Sequence, residues 1–201
     1  MTRPLRIGFT GPQGVGKSTT ADALVDGPDE ILITKLHAIE GVYEGMAAII
    51  GISQSKLSDP AAKSTPWTEC TSPVPALVGV KPRDVIDYAA GQLRLAYGED
   101  VLAQLWARRA GSPAYAGWDV IINDAIRFEC ELDAMDVVIE LTRKGVAYDG
   151  TTYNRRLPEW AIDSIVDLDD PTAIRALQQR VYQWRLRQTH GHAVLPSVEE
   201  E

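Results

Sequence analysis

The sequence predicts an α/β fold in which a parallel sheet of about five strands is flanked by helices. Short apolar runs of strand length alternate with segments of helical period along the 201 residues. Two of these runs, 118–123 and 136–141, are almost continuously apolar, as expected for strands buried on both faces of a parallel sheet. Apolar residues make up 45% of the chain and charged residues 24%, which is ordinary for a globular protein.

The first half of the chain supplies two predicted strands and two helices. An apolar run at 5–10 predicts the first strand. The segment 16–25 has its apolar residues on one helical face and predicts the first helix. The run 30–34 predicts a second strand, and the Ala-, Met- and Ile-rich segment 38–50 predicts a second helix.

The second half continues this alternation. A proline in the first turn favours a helix at 82–97, and another helix is predicted at 99–110. After the two apolar strands, a last strand is predicted at 164–168. Asp170-Pro171 reads as an N-cap followed by proline at the first helical position. The helix that it opens is expected to end near Thr189, before a glycine at 191.

Residues 53–81 differ from the rest of the chain. They are rich in Ser, Thr, Pro and Lys, and their apolar residues follow no period. Loops of this length often cover a substrate. The sequence leaves open whether this segment forms a lid, a loop that reads a nucleobase, or a disordered insertion.

Charge and composition limit the range of partners. The net charge of −8 argues weakly against a large nucleic-acid surface, although a local cleft can still be positive. No apolar run reaches the length of a membrane span, and we expect no membrane contact. The spacing of Cys70 and Cys130 fits no metal site, and a reducing cytoplasmic compartment is expected. His37, His190 and His192 form no metal motif, and a homodimer remains open.

One motif carries specific chemistry. Residues 11–18, Gly-Pro-Gln-Gly-Val-Gly-Lys-Ser, match the phosphate-binding loop pattern in full, between a predicted strand and a predicted helix. The loop's N–H groups and the helix N-terminus favour a phosphate anion. Lys17 would reach the β- and γ-phosphates, and the Ser18 hydroxyl would bind Mg²⁺. The motif therefore predicts binding of ATP with Mg²⁺ through Gly11, Gln13, Gly14, Val15, Gly16, Lys17 and Ser18.

The strand at 118–123 is followed by Asp124, a candidate Mg²⁺ carboxylate. The alternative is that Asp124 is an N-cap for the next segment. No guanine-reading N-K-x-D and no D-x-x-G switch occur in the chain, which argues against a GTPase. A second acid that would activate water does not follow Asp124, and this favours transfer to a substrate over hydrolysis.

Basic residues are expected around a phosphoryl-transfer site, because the reaction depends on positioning and charge neutralisation. Arg127 follows Asp124 and is the strongest candidate of the set. For each single arginine, a solvated surface position is the competing interpretation. The full set of candidates is Arg83, Arg94, Arg127, Arg143, Arg155 and Arg156.

Four blocks of the sequence resemble the bacteriophage deoxynucleoside monophosphate kinases, a branch of the P-loop nucleotide kinases. The blocks are 11–23 (GPQGVGKSTTADA), 82–105 (PRDVIDYAAGQLRLAYGEDVLAQL), 124–131 (DAIRFECE) and 157–168 (LPEWAIDSIVDL). The chain departs from the family at Ser18, where some relatives carry Asp. It also has Tyr153-Asn154-Arg155-Arg156 where the family has a His-x-Ser/Thr-Glu string.

The resemblance implies roles for individual residues. It adds Thr19 to the ATP-binding set and gives Asp124 the metal. It implies that Arg83, Arg94 and Arg127 grip the acceptor, while Arg143, Arg155 and Arg156 close on the transferring phosphoryl group. Lys17, Asp124, Arg127 and Arg143 are accordingly the expected catalytic residues. One domain is expected over 1–201, with a core at 1–36, 98–142 and 161–192, an acceptor-binding insertion at 37–97 and a lid at 143–160.

The function implied is transfer of the γ-phosphoryl group of ATP to a deoxynucleoside monophosphate. The first alternative is a kinase acting on 5-hydroxymethyluracil in DNA, whose alcohol acceptor would need a carboxylate base such as Asp84, Asp87 or Asp124. A basic strip would favour that alternative; its candidate members are Lys56, Lys63, Lys81 and Arg83. The second alternative is a nucleotide-binding regulator without transfer activity.

Overall fold

The computed structural model describes residues 3–27, 30–59, 61–151 and 154–190, and the chain divides into two compact units. The first unit combines Met1–His37 with Ala107–Glu201, and the second is Ala38–Trp106. Gly191, His192 and Tyr153, which entered the sequence predictions, lie outside the described residues, as does the side chain of His190. No helix in the described ranges combines the length and apolar character needed to cross a bilayer.

The first unit is built on a five-stranded sheet in which every strand pair is parallel. The strands are β1 (Leu5–Thr10), β2 (Ile33–Lys35), β3 (Val120–Asn123), β4 (Val137–Thr142) and β5 (Ser164–Asp167). Their order is β2-β3-β1-β4-β5, so that β1 is central. The predicted α/β fold with a parallel sheet is confirmed. Because the strands are parallel, the segments that leave β1, β3 and β4 begin at one edge of the sheet.

Two helices cover one face of the sheet. Helix α1 (Lys17–Val25) and helix α6 (Ala173–His190) contact the sheet and each other. Alternate residues of β1, among them Ile7 and Phe9, are fully buried against apolar residues of these helices such as Leu177. Each such side chain contributes about 1.5–3 kcal/mol through burial. This layer fixes β1 and α1 relative to each other, and with them the loop that connects the two.

The other face of the sheet carries a smaller apolar cluster of Ile126, Val138 and Leu157. Towards the carboxyl edge this face becomes polar. Thr10 of β1 is opposite Glu140 of β4 in the strand register, and both side chains are buried. A buried carboxylate requires hydrogen-bond or charge partners.

The second unit is helical. It contains α2 (Glu40–Ile50), α3 (Gln54–Ser58), α4 (Pro82–Tyr97) and the start of α5 (Val101–Ala110). Its own apolar core includes Val42, Leu57 and Ile86. The segment 53–81 is more ordered than its composition indicates. It contains α3 and two short 3₁₀ turns, and its backbone closes on itself where Trp67 N–H donates to Val80 O at 2.9 Å.

Most element ends agree with the sequence prediction within two residues, but the predicted start of the second strand at Glu30 is wrong. Strand β2 begins at Ile33, because Leu32 is half-exposed and its N–H is bound by the Asp119 carboxylate at 3.0 Å. The prediction of a helix N-cap at Asp124 is also not borne out, since the next helical turn begins only at Glu129. Cys70 and Cys130 are free cysteines.

Candidate active site

The loop between β1 and α1 contains the predicted phosphate-binding motif. Gly11 has φ 140° and Gly14 has φ 82°, values that residues with a side chain rarely adopt. At Gly11 a β-carbon would also lie 2.5 Å from the backbone oxygen of Leu141. Val15 is fully buried in the core beneath the loop, and its N–H donates to Pro12 O at 3.3 Å. The glycines and the buried valine together fix the curled shape of the loop.

Several backbone N–H groups of this loop have no protein acceptor. Gln13 N–H donates to Asn154 Oδ1 and Thr20 N–H donates to Gly16 O, each at 2.8 Å. Within the described part of the chain, free N–H groups remain on Gly14, Gly16, Lys17, Ser18 and Thr19. A run of free N–H groups at a helix N-terminus is a site that an anion can occupy.

Lys17 is the first residue of α1 and lies within this loop. Its Nζ donates to the backbone oxygens of Gly11 at 2.6 Å and Pro12 at 2.9 Å. Burial lowers the pKa of Lys17 to about 8; the positive charge of Arg127 contributes to this, and Asp124 opposes it. Lys17, Arg127 and Asp124 are therefore close enough to act on one another. A bound polyphosphate would place negative charge beside this ammonium group and so stabilise its charged form.

Asp124 follows β3 and is 2% exposed. Its Oδ1 is buried and accepts no hydrogen bond from any described residue. The Nε2 of His37 is 3.9 Å from that oxygen, beyond hydrogen-bond distance. A buried carboxylate oxygen without a donor is suited to bind a cation. Asp124 and Ser18 are a sparse set, and Mg²⁺ typically takes one or two protein ligands, with phosphate oxygens and water completing its shell.

Two further predicted catalytic arginines lie in the same unit. Arg127 is half-buried, and its N–H and that of Phe128 donate to the buried carboxylate of Glu131 at 2.7 and 3.1 Å. Arg143 follows β4, and its Nη2 lies 3.4 Å from the position of a β-carbon on Gly16. Arg143 is therefore next to the phosphate-binding loop, and Arg127 is near Lys17.

The two adjacent arginines of the predicted lid, Arg155 and Arg156, have different surroundings. Arg155 is exposed, with its guanidinium 5.7 Å from the centre of the Phe128 ring, which is cation–π distance. Arg156 forms a bidentate ion pair with Glu140, with Nη2–Oε2 at 2.7 Å and Nε–Oε1 at 2.9 Å. The predicted role of both arginines in substrate binding stays a prediction. Arg156 is paired with Glu140, and Arg155 does not contact that carboxylate.

The two predicted acceptor-binding arginines on α4 belong to the second unit. Arg83 and Arg94 are both half-buried. They are eleven residues apart in one helix, which separates their backbones by about 16 Å along the axis and leaves them on nearly the same face. Their roles stay predictions, and they would contact different parts of an acceptor molecule.

Sequence reasoning missed three polar residues beside the loop. Asn154 accepts the Gln13 N–H, and the half-buried Tyr148 donates its hydroxyl to Oε1 of the buried Glu140 at 3.0 Å. Burial and the nearby Glu140 charge raise the pKa of Tyr148. The acidic residue inside an apolar strand was the one available signal, since a charge in a buried strand needs a partner.

Comparisons with known proteins add little to this geometry. No protein-family model matches the chain, and no curated protein matches it. Among solved structures, a "putative kinase" from Chloroflexus aurantiacus J-10-fl is similar, with a TM-score of 0.44 and 16% sequence identity over 94% of this chain and 99% of that chain. A likeness at this level carries no functional argument for this chain.

Proposed function

We propose that this chain is an ATP-dependent phosphotransferase, and that it transfers the γ-phosphoryl group of ATP to a deoxynucleoside monophosphate. The observation that carries the proposal is the combination found at the carboxyl edge of the sheet. A glycine-rich loop with free N–H groups meets a half-buried lysine, and a buried carboxylate whose Oδ1 accepts no hydrogen bond lies near that lysine. A buried oxygen without a hydrogen bond is unfavourable, and free N–H groups beside a lysine attract an anion. Each of the three features is accounted for by a bound metal–triphosphate.

The donor side of the reaction uses the loop and the first turn of α1. The free N–H groups of Gly14, Gly16, Lys17, Ser18 and Thr19 would hold the β- and γ-phosphate oxygens of ATP. Lys17 would exchange its two backbone carbonyl partners for those oxygens. Ser18 and Asp124 would hold Mg²⁺, which neutralises charge on the phosphates when bound. The sequence Gly-Lys-Ser-Thr thus supplies donors, a cation and a metal ligand within four residues.

The acceptor side needs only positive charge. A phosphate oxygen of the monophosphate forms the new bond to the γ-phosphorus, and the bond from that phosphorus to the β-phosphate oxygen breaks, releasing ADP. The acceptor oxygen is already ionised, so no base has to remove a proton. Arg127, near Lys17, is the first candidate to neutralise charge in the transition state, and Arg143 beside Gly16 is the second.

A second candidate function is transfer to an alcohol, such as the hydroxymethyl group of 5-hydroxymethyluracil in DNA. The unpartnered Oδ1 of Asp124 favours it, because an alcohol must lose a proton and this oxygen could accept one. The net charge of −8 opposes a DNA substrate. The third candidate, a regulator that binds nucleotide without transferring phosphate, predicts ATP binding with no acceptor-dependent turnover.

The test is ADP release by purified protein with ATP and Mg²⁺, using each deoxynucleoside monophosphate and, separately, a duplex containing 5-hydroxymethyluracil. The proposal expects turnover with one or more monophosphates, lowered at least about 100-fold by Lys17→Ala and by Arg127→Ala. Turnover with the duplex alone would replace the lead with the second candidate. Tight ATP binding without turnover on either substrate would support the regulator.

A further inference from the structure

The chain after β4 contains a buried asparagine that contacts the phosphate-binding loop. Asn154 is 7% exposed, and its Oδ1 accepts the N–H of Gln13 at 2.8 Å. Gln13 belongs neither to β1 nor to α1, so neither the sheet nor the helix provides its N–H with an acceptor. The bond joins residues 141 positions apart in the sequence. Through this bond, the turn that contains Asn154 holds the phosphate-binding loop at Gln13.

The other end of the same side chain is also engaged. The Asp149 carboxylate accepts a hydrogen bond from the Asn154 side chain, and it also accepts from Thr151 N–H at 2.9 Å and Thr151 Oγ1–H at 2.8 Å. The backbone adds Asn154 N–H to Thr151 O at 3.0 Å and Gly150 N–H to Asn154 O at 3.2 Å. Asparagine suits this position because one amide both donates and accepts.

Tyr148 and Arg156 lie on either side of Asn154 in the sequence, and both bind Glu140, next to the start of the phosphate-binding loop. Tyr148 donates to Glu140, and Arg156 forms its bidentate pair with the same carboxylate. Glu140 is 1% exposed and is opposite Thr10, the residue immediately before Gly11. A buried carboxylate with an arginine and a hydroxyl partner is strongly tied to both.

We propose that Asn154 is a positioning residue for the phosphate-binding loop, and that Tyr148 and Arg156 hold it there through Glu140. The inference rests on the proposed function, because it concerns the loop that would bind the triphosphate. A loop already fixed before the ligand arrives loses less conformational freedom on binding, which strengthens affinity. Arg156 in this arrangement acts through Glu140, whereas Arg155 stays available to a substrate.

The first experiment needs no ligand. Amide hydrogen exchange is measured by NMR at Gln13 in the wild type, Asn154→Ala, Asn154→Asp and the control Thr151→Ala. Asn154→Ala is expected to raise the Gln13 exchange rate several-fold, because its acceptor is gone. Asn154→Asp keeps an acceptor oxygen for Gln13 but places a second carboxylate beside Asp149, so its rate should lie between those of the wild type and Asn154→Ala. Thr151→Ala alters the same turn without removing the bond, so its rate stays near that of the wild type. An unchanged Gln13 rate in Asn154→Ala would overturn the inference.

The second experiment is calorimetric binding of ATP with Mg²⁺ to the same proteins. Asn154→Ala is expected to raise the Kd about 2- to 10-fold, the range expected for one net hydrogen bond, while Thr151→Ala leaves it unchanged. Equal affinities in the wild type and Asn154→Ala would overturn the inference and leave the proposed function standing. A wild type that fails to bind ATP would overturn the proposed function, and this inference with it.

Discussion

Lys17 is the residue at which folding and ligand binding make opposite demands. Folding removes its ammonium group from water and gives it two backbone carbonyls, with Arg127 nearby as a repelling charge. The resulting pKa of about 8 lies below the ordinary 10.5. A charged group in these surroundings destabilises the folded protein unless an anion is bound beside it, which is typical of functional sites.

This pKa predicts a pH dependence of stability. Between about pH 8 and pH 10.5 the unfolded chain retains the Lys17 proton and the folded chain does not, so the free energy of unfolding rises with pH over that window. Lys17→Met removes this contribution. The free energy of unfolding is measured with urea for both proteins. As pH rises from 7.5 to 10.5, its value for the wild type should rise by on the order of 2 kcal/mol relative to its value for Lys17→Met. A difference that stays constant or moves the other way would contradict the assignment.

Asp124 gives a second prediction at the scale of one residue. Asp124→Asn keeps the shape of the side chain and removes the buried charge. Turnover should fall about 100-fold or more, because the proposed metal loses its carboxylate. The Tm should stay equal or rise, since an unpartnered buried carboxylate is itself unfavourable. Paired activity and thermal-unfolding measurements check both; full activity in the variant would remove Asp124 from the site.

The unit formed by β1, the loop and α1 is the part of the molecule that sequence predicts best. Its glycines, its lysine and its flanking apolar pattern are local signals, and the structure follows them within one residue. Helix α4 was equally predictable, because Pro82 opens it and Gly98 follows its last residue. The start of β2 was not, since the Leu32 N–H donates to the carboxylate of Asp119, a residue distant in the sequence.

The loop glycines supply a matched pair of substitutions. Gly11→Ala and Gly14→Ala both force a side chain into a left-handed backbone conformation, at a cost of about 1–2 kcal/mol. Only Gly11→Ala also drives a β-carbon to 2.5 Å from Leu141 O, whereas nothing lies within 4 Å at Gly14. Urea unfolding should therefore rank Gly11→Ala as the more destabilised variant. Equal destabilisation would mean that the loop can move away from β4.

The adjacent arginines of the predicted lid, Arg155 and Arg156, offer a second comparison at this scale. Arg156→Ala should lower the Tm by about 5 °C, because it leaves the buried Glu140 with only the Tyr148 hydroxyl. Arg155→Ala should leave the Tm near that of the wild type and raise the KM for the acceptor. Thermal unfolding and steady-state kinetics separate the two effects; the reverse pattern would exchange the two roles.

Across the whole molecule, the sequence does not predict which distant segments contact each other. The bonds from Gln13 to Asn154 and from Arg156 to Glu140 carry no local pattern, since each partner is an ordinary polar residue in its own segment. The ordered form of 53–81, where Leu57 is fully buried, was also beyond it. Arg83 and Arg94 belonged to the predicted set of basic residues, their acceptor-binding role was implied only by the family resemblance, and both lie in the helical unit.

The helical unit gives one prediction for the molecule as a whole. If Arg83 binds the acceptor as the family resemblance implies, Arg83→Ala should raise the KM for the acceptor about 10-fold, the range expected for one charge-assisted hydrogen bond, and leave the Kd for ATP unchanged. Lys17→Ala should instead raise the Kd for ATP. Steady-state kinetics combined with calorimetry measures both. Loss of ATP affinity in Arg83→Ala would contradict this division of roles.

The most direct test of the central claim is ADP production by the wild type in the presence of ATP, Mg²⁺ and all four deoxynucleoside monophosphates together. Lys17→Ala serves as the inactive variant, and Arg187→Ala, an exposed position on α6, serves as the control. A phosphotransferase predicts ADP release that depends on the monophosphates, is lost in Lys17→Ala and is retained in Arg187→Ala. ADP release that ignores the monophosphates, or that survives Lys17→Ala, would contradict the claim that this loop transfers phosphate to a nucleotide.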